Sequence, residues 1–282
     1  RLTTAEARAL GITRVLSSFS TPYAGTADRV RNLQLAVSLL DGAIVRPGRV
    51  FSLNARVGER TLERGFRPAP VIIGGEYKEG VGGGVSQVAT TVFNAAWEAG
   101  LKIVERNPHS LYISRYPLGR DATVNYPDLD LKFLNDTGRP LLVRGASTAS
   151  GITISIYGAP TGRRVVSEPG ALVVTGPAPL RTIRDPSLNV GTTVIEEEGS
   201  PSTAVTVKRT VIGARGRVLY RETWRTAYRG ELRVVRVGTR PLPKPEPKPR
   251  TETETERPEK GTTVEAPQRE KPKPGTVTTP PP

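Results

Sequence analysis

Cysteine is absent from the 282 residues. That excludes disulfides, thiolate metal sites and a cysteine nucleophile together. Methionine is absent as well, so Arg1 is not expected to be a native start; a processed or excised form, relieved of a signal or membrane anchor, is the expectation. No run of about 18 apolar residues occurs, so nothing in the sequence is long enough to span a bilayer as a helix. One histidine and no cysteine leave mainly carboxylates and carbonyls as metal donors. No calcium-loop pattern occurs, and neither a metal nor a cofactor is expected. Aromatic residues make up only 5% of the chain, too few for base-stacking platforms, and no helix-turn-helix or ribonucleoprotein motif is present.

Positive charge is in excess. The formal net charge is +14. Residues 241–282 hold eight Lys/Arg against seven Asp/Glu, so 13 of the 14 excess charges lie in residues 1–240. A basic folded part suits an anionic polymer such as nucleic acid or the teichoic acids and carboxylates of a bacterial wall; a plain solvated surface also fits. The missing nucleic-acid motifs weigh against nucleic acid.

The local patterns read as α+β. Residues 1–10 form a short helix with Thr3 or Thr4 as cap and Glu6 in its first turn, ended by Gly11. Thr13 to Phe19 reads as a strand. Asp28 caps a second helix with Val30, Leu33, Val37 and Leu40 as its buried stripe. Val50 to Leu53 and Val71 to Ile73 are short strands. The chain is organised around the glycine run that opens at Gly80 and ends at Gly84, and the helix that follows. Val85, Val88, Ala89, Val92, Phe93 and Ala96 fall on one helical face, and Gly100 stands at the stop position. Further β-runs lie at 101–104, from Ala122 to Val124, and at 130–133, 141–143 and 152–157. From Arg163 helical periodicity vanishes and short β-branched runs take over, including Val205 to Val211 and Val218 to Thr226 around a turn at Ala214 to Gly216. Few bulky apolar residues occur there, which predicts a thin module open to solvent on both faces. From Pro241 the Pro/Glu/Lys/Thr-rich chain is expected to be disordered. The expected domains are 1–160, 163–240 and a tail at 241–282.

Pro47-Gly48, Phe51-Ser52-Leu53-Asn54, Val57-Gly58, Gly65-Phe66, Ala69-Pro70, Gly82-Gly83-Gly84-Val85-Ser86-Gln87, Arg106, His109-Ser110, Gly119-Arg120-Asp121 and Asn135 together resemble the VanW domain, a vancomycin-B-type resistance accessory family of bacterial cell envelopes. The resemblance spans roughly residues 10–158 and implies an envelope location, extracellular or in the wall. Gly191-Thr192, Glu196 to Gly199, Val205 to Val211, Gly216 and Val234 to Thr239 resemble the G-five domain. That likeness implies an extended β fold and binding of N-acetylglucosamine-containing wall polymers.

Many VanW relatives carry cysteine where this chain has Ser86. The order Ser86, His109, Asp121 is similar to a transglutaminase or papain-type core, with the nucleophile at a helix N-terminus and base and acid on following strands. A helix N-terminus stabilises negative charge, and a histidine base needs a carboxylate to hold its tautomer. Against this, Ser86 also fits a plain helix cap, His109 a structural role, and Asp121 an ion pair with Arg120. Gln87 either donates to an oxyanion or faces solvent; Arg106 either clamps a carboxylate or pairs with Glu105. Gly83 and Gly84 would line the pocket. The glycine run lacks the Gly-Lys-Ser/Thr ending of a phosphate loop. Three readings follow: an envelope protein binding peptidoglycan or a related wall polymer, a serine/cysteine-type acyl transferase or amidase on wall peptides, and an interaction scaffold. Membrane contact is expected only through a removed N-terminal segment.

Overall fold

A short helix opens the chain because Thr3 and Glu6 form a reciprocal capping box around α1 (Thr4–Ala9). The computed structural model describes residues 3–23, 25–73 and 76–243. Within it the described residues up to Pro241 constitute one compact unit. The expected disorder of the tail lies almost wholly outside the described residues.

After α1 come β1 (Arg14–Pro22), α2 (Ala27–Leu40), β2 (Ala43–Val45), β3 (Val50–Ser52), α3 (Leu53–Val57), β4 (Pro68–Ile73), β5 (Glu76–Val81), α4 (Val85–Glu98), β6 (Lys102–Glu105), β7 (Lys132–Leu134), β8 (Leu141–Ser147) and β9 (Gly151–Gly158). An antiparallel sheet of order β1-β9-β8-β2 carries α4 and α2 on one face, and a smaller sheet runs β3-β7-β6. The alternation of β9 is strict: Ile152, Ile154 and Ile156 are buried between half-exposed neighbours, as a sheet with one covered face requires. The cap of α2 is Thr26, not Asp28, which stands in the first turn. The threonine hydroxyl accepts from Arg29 N, and the aspartate complements the helix dipole from inside the first turn.

Helix α4 departs from the one-face expectation. Twelve of its residues, Val85 and the eleven from Gln87 to Trp97, are buried, the signature of a helix enclosed all round. Its first side packs on β1 and β9. Its second is covered by β10 (Arg164–Pro169), β14 (Ser202–Ile212) and β15 (Val218–Tyr228), members of a sheet in which β14 is flanked by β10, β15 and the exposed β11 (Val173–Gly176). This sheet of the β-rich segment is therefore not open on both faces. Val205, Val207, Arg209 and Val211 are buried along one face of β14. Trp224 of β15 meets Phe93 and Trp97 edge-on, with centroids 6.1 and 5.6 Å apart. The remaining strands, β12 (Leu180–Asn189), β13 (Thr193–Glu197) and β16 (Arg233–Arg240), form a separate sheet in which β12 runs parallel to β16; there β12 and β13 are largely exposed.

No basic residue stands in the last turn of α4. The cations its C-terminal carbonyls favour arrive from elsewhere. Fully buried Arg209 donates to Trp97 O (2.6 Å) and Leu101 O (3.1 Å), pairs with Glu222 (2.9 Å) and lies over the Trp97 ring. Arg163 donates to Gly100 O at 2.7 Å and to Asp136 at 2.8 Å.

Candidate functional site

The turn into α4 is built for close backbone approach. A Cβ on Gly83 would lie 2.3 Å from Ala69 O, and Gly84 takes φ +101° with a would-be Cβ 2.8 Å from the Arg29 side chain. Only glycine meets both demands without displacing its neighbours. Gly80 and Val81 belong to β5, so the loop proper is three residues long. Asn32, buried in α2, pins it by donating to Gly83 O (3.0 Å) and Arg67 O (2.8 Å). Gly84 is the N-cap and makes no side-chain cap bond. Ser86 is thus not a cap but the second helical residue.

Ser86 begins a polar stripe. Ser86, Thr90 and Asn94, four apart on α4, all bond to the segment 120–124. Asn94 donates to Arg120 O (2.8 Å) and accepts from Arg120 Nε (2.9 Å). Thr90 Oγ1 donates to Ala122 O (2.8 Å) and accepts from Ala122 N (2.9 Å). Ser86 Oγ shares a 2.9 Å hydrogen bond with Thr123 Oγ1 and accepts from Val124 N at 3.3 Å. Four helical residues advance about 6 Å and two extended residues about 6.6 Å, so the two repeats stay in register. Side chains supply the partners that a sheet would otherwise give this backbone. That is why the strand expected from Ala122 to Val124 does not form; only an isolated bridge, Asn107 to Thr123, is present.

The ladder sets Asp121 in place. Its Oδ2 accepts from His109 N at 2.7 Å and lies 2.8 Å from His109 Nδ1; its Oδ1 accepts from Tyr228 Oη at 2.6 Å and from Arg106 Nη2 at 3.0 Å. Burial alone would raise the Asp121 pKa. The hydrogen bond from His109, the Arg106 charge and the Tyr228 hydroxyl outweigh it and hold the carboxyl at about 2. Burial and the Asp121 charge push the Tyr228 phenol well above its ordinary range. An ionised carboxylate only accepts, so Nδ1 of His109 carries the shared proton. The ring stacks on Tyr116, centroids 6.0 Å apart, and Nε2 makes no hydrogen bond among the described residues.

The candidates fall into two groups. Arg106, His109 and Asp121 share one network. Arg106 also donates to Asp121 O (2.6 Å), Gly119 O (3.1 Å) and Thr226 Oγ1 (2.9 Å), so its guanidinium is engaged internally rather than with Glu105. Asp121 pairs with Arg106 and His109, whereas its neighbour Arg120 pairs with Glu98. Ser86 adjoins this network through Thr123 but has no hydrogen bond to His109 among the described residues. Gln87 is buried: its amide donates to Thr21 Oγ1 and Pro22 O and its oxygen accepts from Arg29. Sequence reasoning missed Tyr228, Thr226, Asn32 and Thr90. The i, i+4, i+8 polar stripe on an otherwise apolar helix was a readable signal for Thr90; the contacts of Tyr228 and Thr226, made across more than 100 residues, had none. Positive groups gather nearby. Arg29 and Arg115 both act on the Tyr116 phenol, whose pKa burial nevertheless raises.

Comparison with known proteins finds similarity over the segment that holds this geometry. Residues 28–157 match the family described as VanW like protein. YoaR of Bacillus subtilis (strain 168) is 41% identical over 129 residues, covering 46% of this chain and 43% of that protein. The vancomycin B-type resistance protein VanW of Enterococcus faecalis (strain ATCC 700802 / V583) is 28% identical over 117 residues, covering 39% and 42%. The chain thus spans under half the length of either relative. Among solved structures, HP0197-G5 is 26% identical over 28% of this chain and 96% of its own, with a TM-score of 0.16. The IgA1 protease G5 domain is 19% identical over 28% and 93%, with a TM-score of 0.20. Glycine turn, polar stripe and His109–Asp121 pair all fall inside residues 28–157, the segment that matches the VanW-like family.

Proposed function

We propose that this is a cell-envelope protein whose VanW-like domain binds peptidoglycan or a related wall polymer in the region of the α4 N-terminus, His109 and Tyr116. The observation that carries the reading is the state of the polar groups there. Ser86 is a rung of the ladder and Asp121 is saturated by four donors, while the imidazole is held in one tautomer with Nε2 left to meet a ligand. Such a group recognises; with its serine engaged elsewhere, it is not poised for attack. The basic charge of residues 1–240 and the neighbouring Arg29 and Arg115 favour an anionic polymer.

A second reading, acyl transfer or amide hydrolysis on wall peptides with a transglutaminase-like layout, draws on the His109–Asp121 pair, which is what a general base requires. It needs Ser86 to leave Thr123 and turn to His109, a rearrangement that a bound substrate can drive.

The test is sedimentation of the full chain with purified insoluble peptidoglycan, alongside His109→Ala. Binding predicts retention that His109→Ala weakens tenfold or more. Retention no better than that of an unrelated protein of equal charge overturns the reading. Release of soluble wall fragments by Ser86→Cys, and not by the His109→Ala variant of it, supports the enzyme instead.

A further inference from the structure

Arg60 lies in the connection between α3 and β4, with its stem pressed on the turn into α4: a Cβ on Gly82 would stand 2.5 Å from Arg60 Cβ and 2.8 Å from Cγ. Its Nη1 and Nη2 are buried with no hydrogen-bond partner among the described residues. A buried guanidinium without a partner is costly and calls for an explanation.

Its surroundings do not supply one. Asp130 and Tyr126 are near enough to favour the charge and Arg64 to oppose it, while burial depresses the guanidinium's pKa. The Asp130 carboxylate is engaged: it accepts from Ser52 Oγ (2.5 Å), Asn54 N (2.8 Å) and Leu131 N (2.8 Å), and Lys132 Nζ stands 3.9 Å away. Asn54, itself only 6% exposed, also has a buried Oδ1 with no partner. Its Nδ2 donates to Leu129 O and, at longer range, Asn125 O. Asn125 directly follows Val124, the ladder's last rung. Unsatisfied polar groups thus occur on Arg60, packed on the turn before α4, and on Asn54, bonded to the chain just beyond Ser86's partners. No acidic residue stands in the first turn of α4.

We propose that Arg60 is the recognition group of a carboxylate subsite beside the start of α4. Two parallel N–H groups of a guanidinium match the two oxygens of a carboxylate in one plane, and the acid-free helix start adds to the field. The inference rests on the wall-binding reading for its physiological ligand, a carboxylate of the wall peptide.

The test titrates the full chain with N-acetylalanine, N-acetylalanine amide and inorganic phosphate, following the backbone amide NMR signals of Gly82, Gly83, Gly84 and Ser86. N-acetylalanine is expected to shift them saturably and the amide not at all. Arg60→Met should weaken that response at least tenfold, and Arg60→Lys should weaken it because a point charge replaces the fork. Removing an unpaired buried charge should leave the thermal midpoint of Arg60→Met unchanged or raised. An equal response to acid and amide, saturation by phosphate alone, or an unchanged response in Arg60→Met overturns the proposal. So does a fall of several degrees in the Arg60→Met midpoint, which marks the side chain as a structural brace. Wall sedimentation of the same proteins separates the two ideas. Retention without the carboxylate response removes the subsite and leaves wall binding; the carboxylate response without retention keeps the subsite and removes the wall reading.

Discussion

Replacing Tyr228 with phenylalanine tests whether the β15 strand holds the Asp121 network together. The change deletes one hydroxyl, leaves the ring against Tyr112 (5.4 Å) and opens almost no volume. Asp121 is held at about 2 against an ordinary 3.8. A depression of that size corresponds to about 2.4 kcal/mol of stability at neutral pH. Because the folded value is the lower one, this contribution is complete above the unfolded value near 4 and disappears as pH falls through about 2. Roughly half of it is gone by pH 3. A hydrogen bond to a charged group contributes roughly 1.5–3 kcal/mol, so losing the Tyr228 donor should return the folded pKa toward 3.8 by about one unit. The variant should then be about 1.4 kcal/mol less stable at pH 5–7. That gap should hold to about pH 4 and narrow steeply between about pH 3 and 2, where Asp121 protonates in both states. Urea unfolding of both proteins at a series of pH values measures it. A gap below about 0.5 kcal/mol at neutral pH, or one of constant size down to the acid limit, would refute the argument that Tyr228 acts through the ionised carboxylate.

Arg209→Met should destabilise the protein by roughly 3 kcal/mol, because it strips buried donors from the carbonyls of Trp97 and Leu101 and leaves Glu222 unpaired; the thermal midpoint checks it, and an unchanged midpoint would show that apolar contact alone suffices. Thr90→Val keeps the shape but leaves the buried Ala122 N–H and C=O without the hydroxyl that serves both. A loss of about 1–3 kcal/mol in urea unfolding is expected, with faster amide exchange across 120–124.

Much of the first half of the fold was legible because its signals are local. The capping box at Thr3 and Glu6, the isoleucine alternation of β9 and the glycine that stops α4 each act within a few residues. Where local reading failed, a distant partner had decided the outcome. The β-branched run of β14 looked like a strand facing solvent on both sides; Gly119 and Gly100 let its valines approach closely, with would-be Cβ atoms 2.8 Å from Val207 and 3.0 Å from Val211. Arg209, an ordinary surface residue by type, lies at the base of α4 because that helix end offers carbonyls that nothing in its own last turn satisfies.

By itself, then, the sequence determined α1, α2 and α4 and most of the strands, the glycine turn before Ser86 and the family blocks around it, since backbone conformation and one-face burial are written in short-range patterns; the short α3 (Leu53–Val57), which takes Leu53 out of the strand expected from Val50 to Leu53, it did not. Only the tertiary structure decided what Ser86, His109 and Asp121 do for one another. It turned the serine to Thr123, seated the imidazole on the carboxylate, and brought Tyr228 across 107 positions to the same oxygen that Arg106 holds. Such contacts depend on how folded elements come to lie together, and they leave no periodicity in the chain from which they could be read.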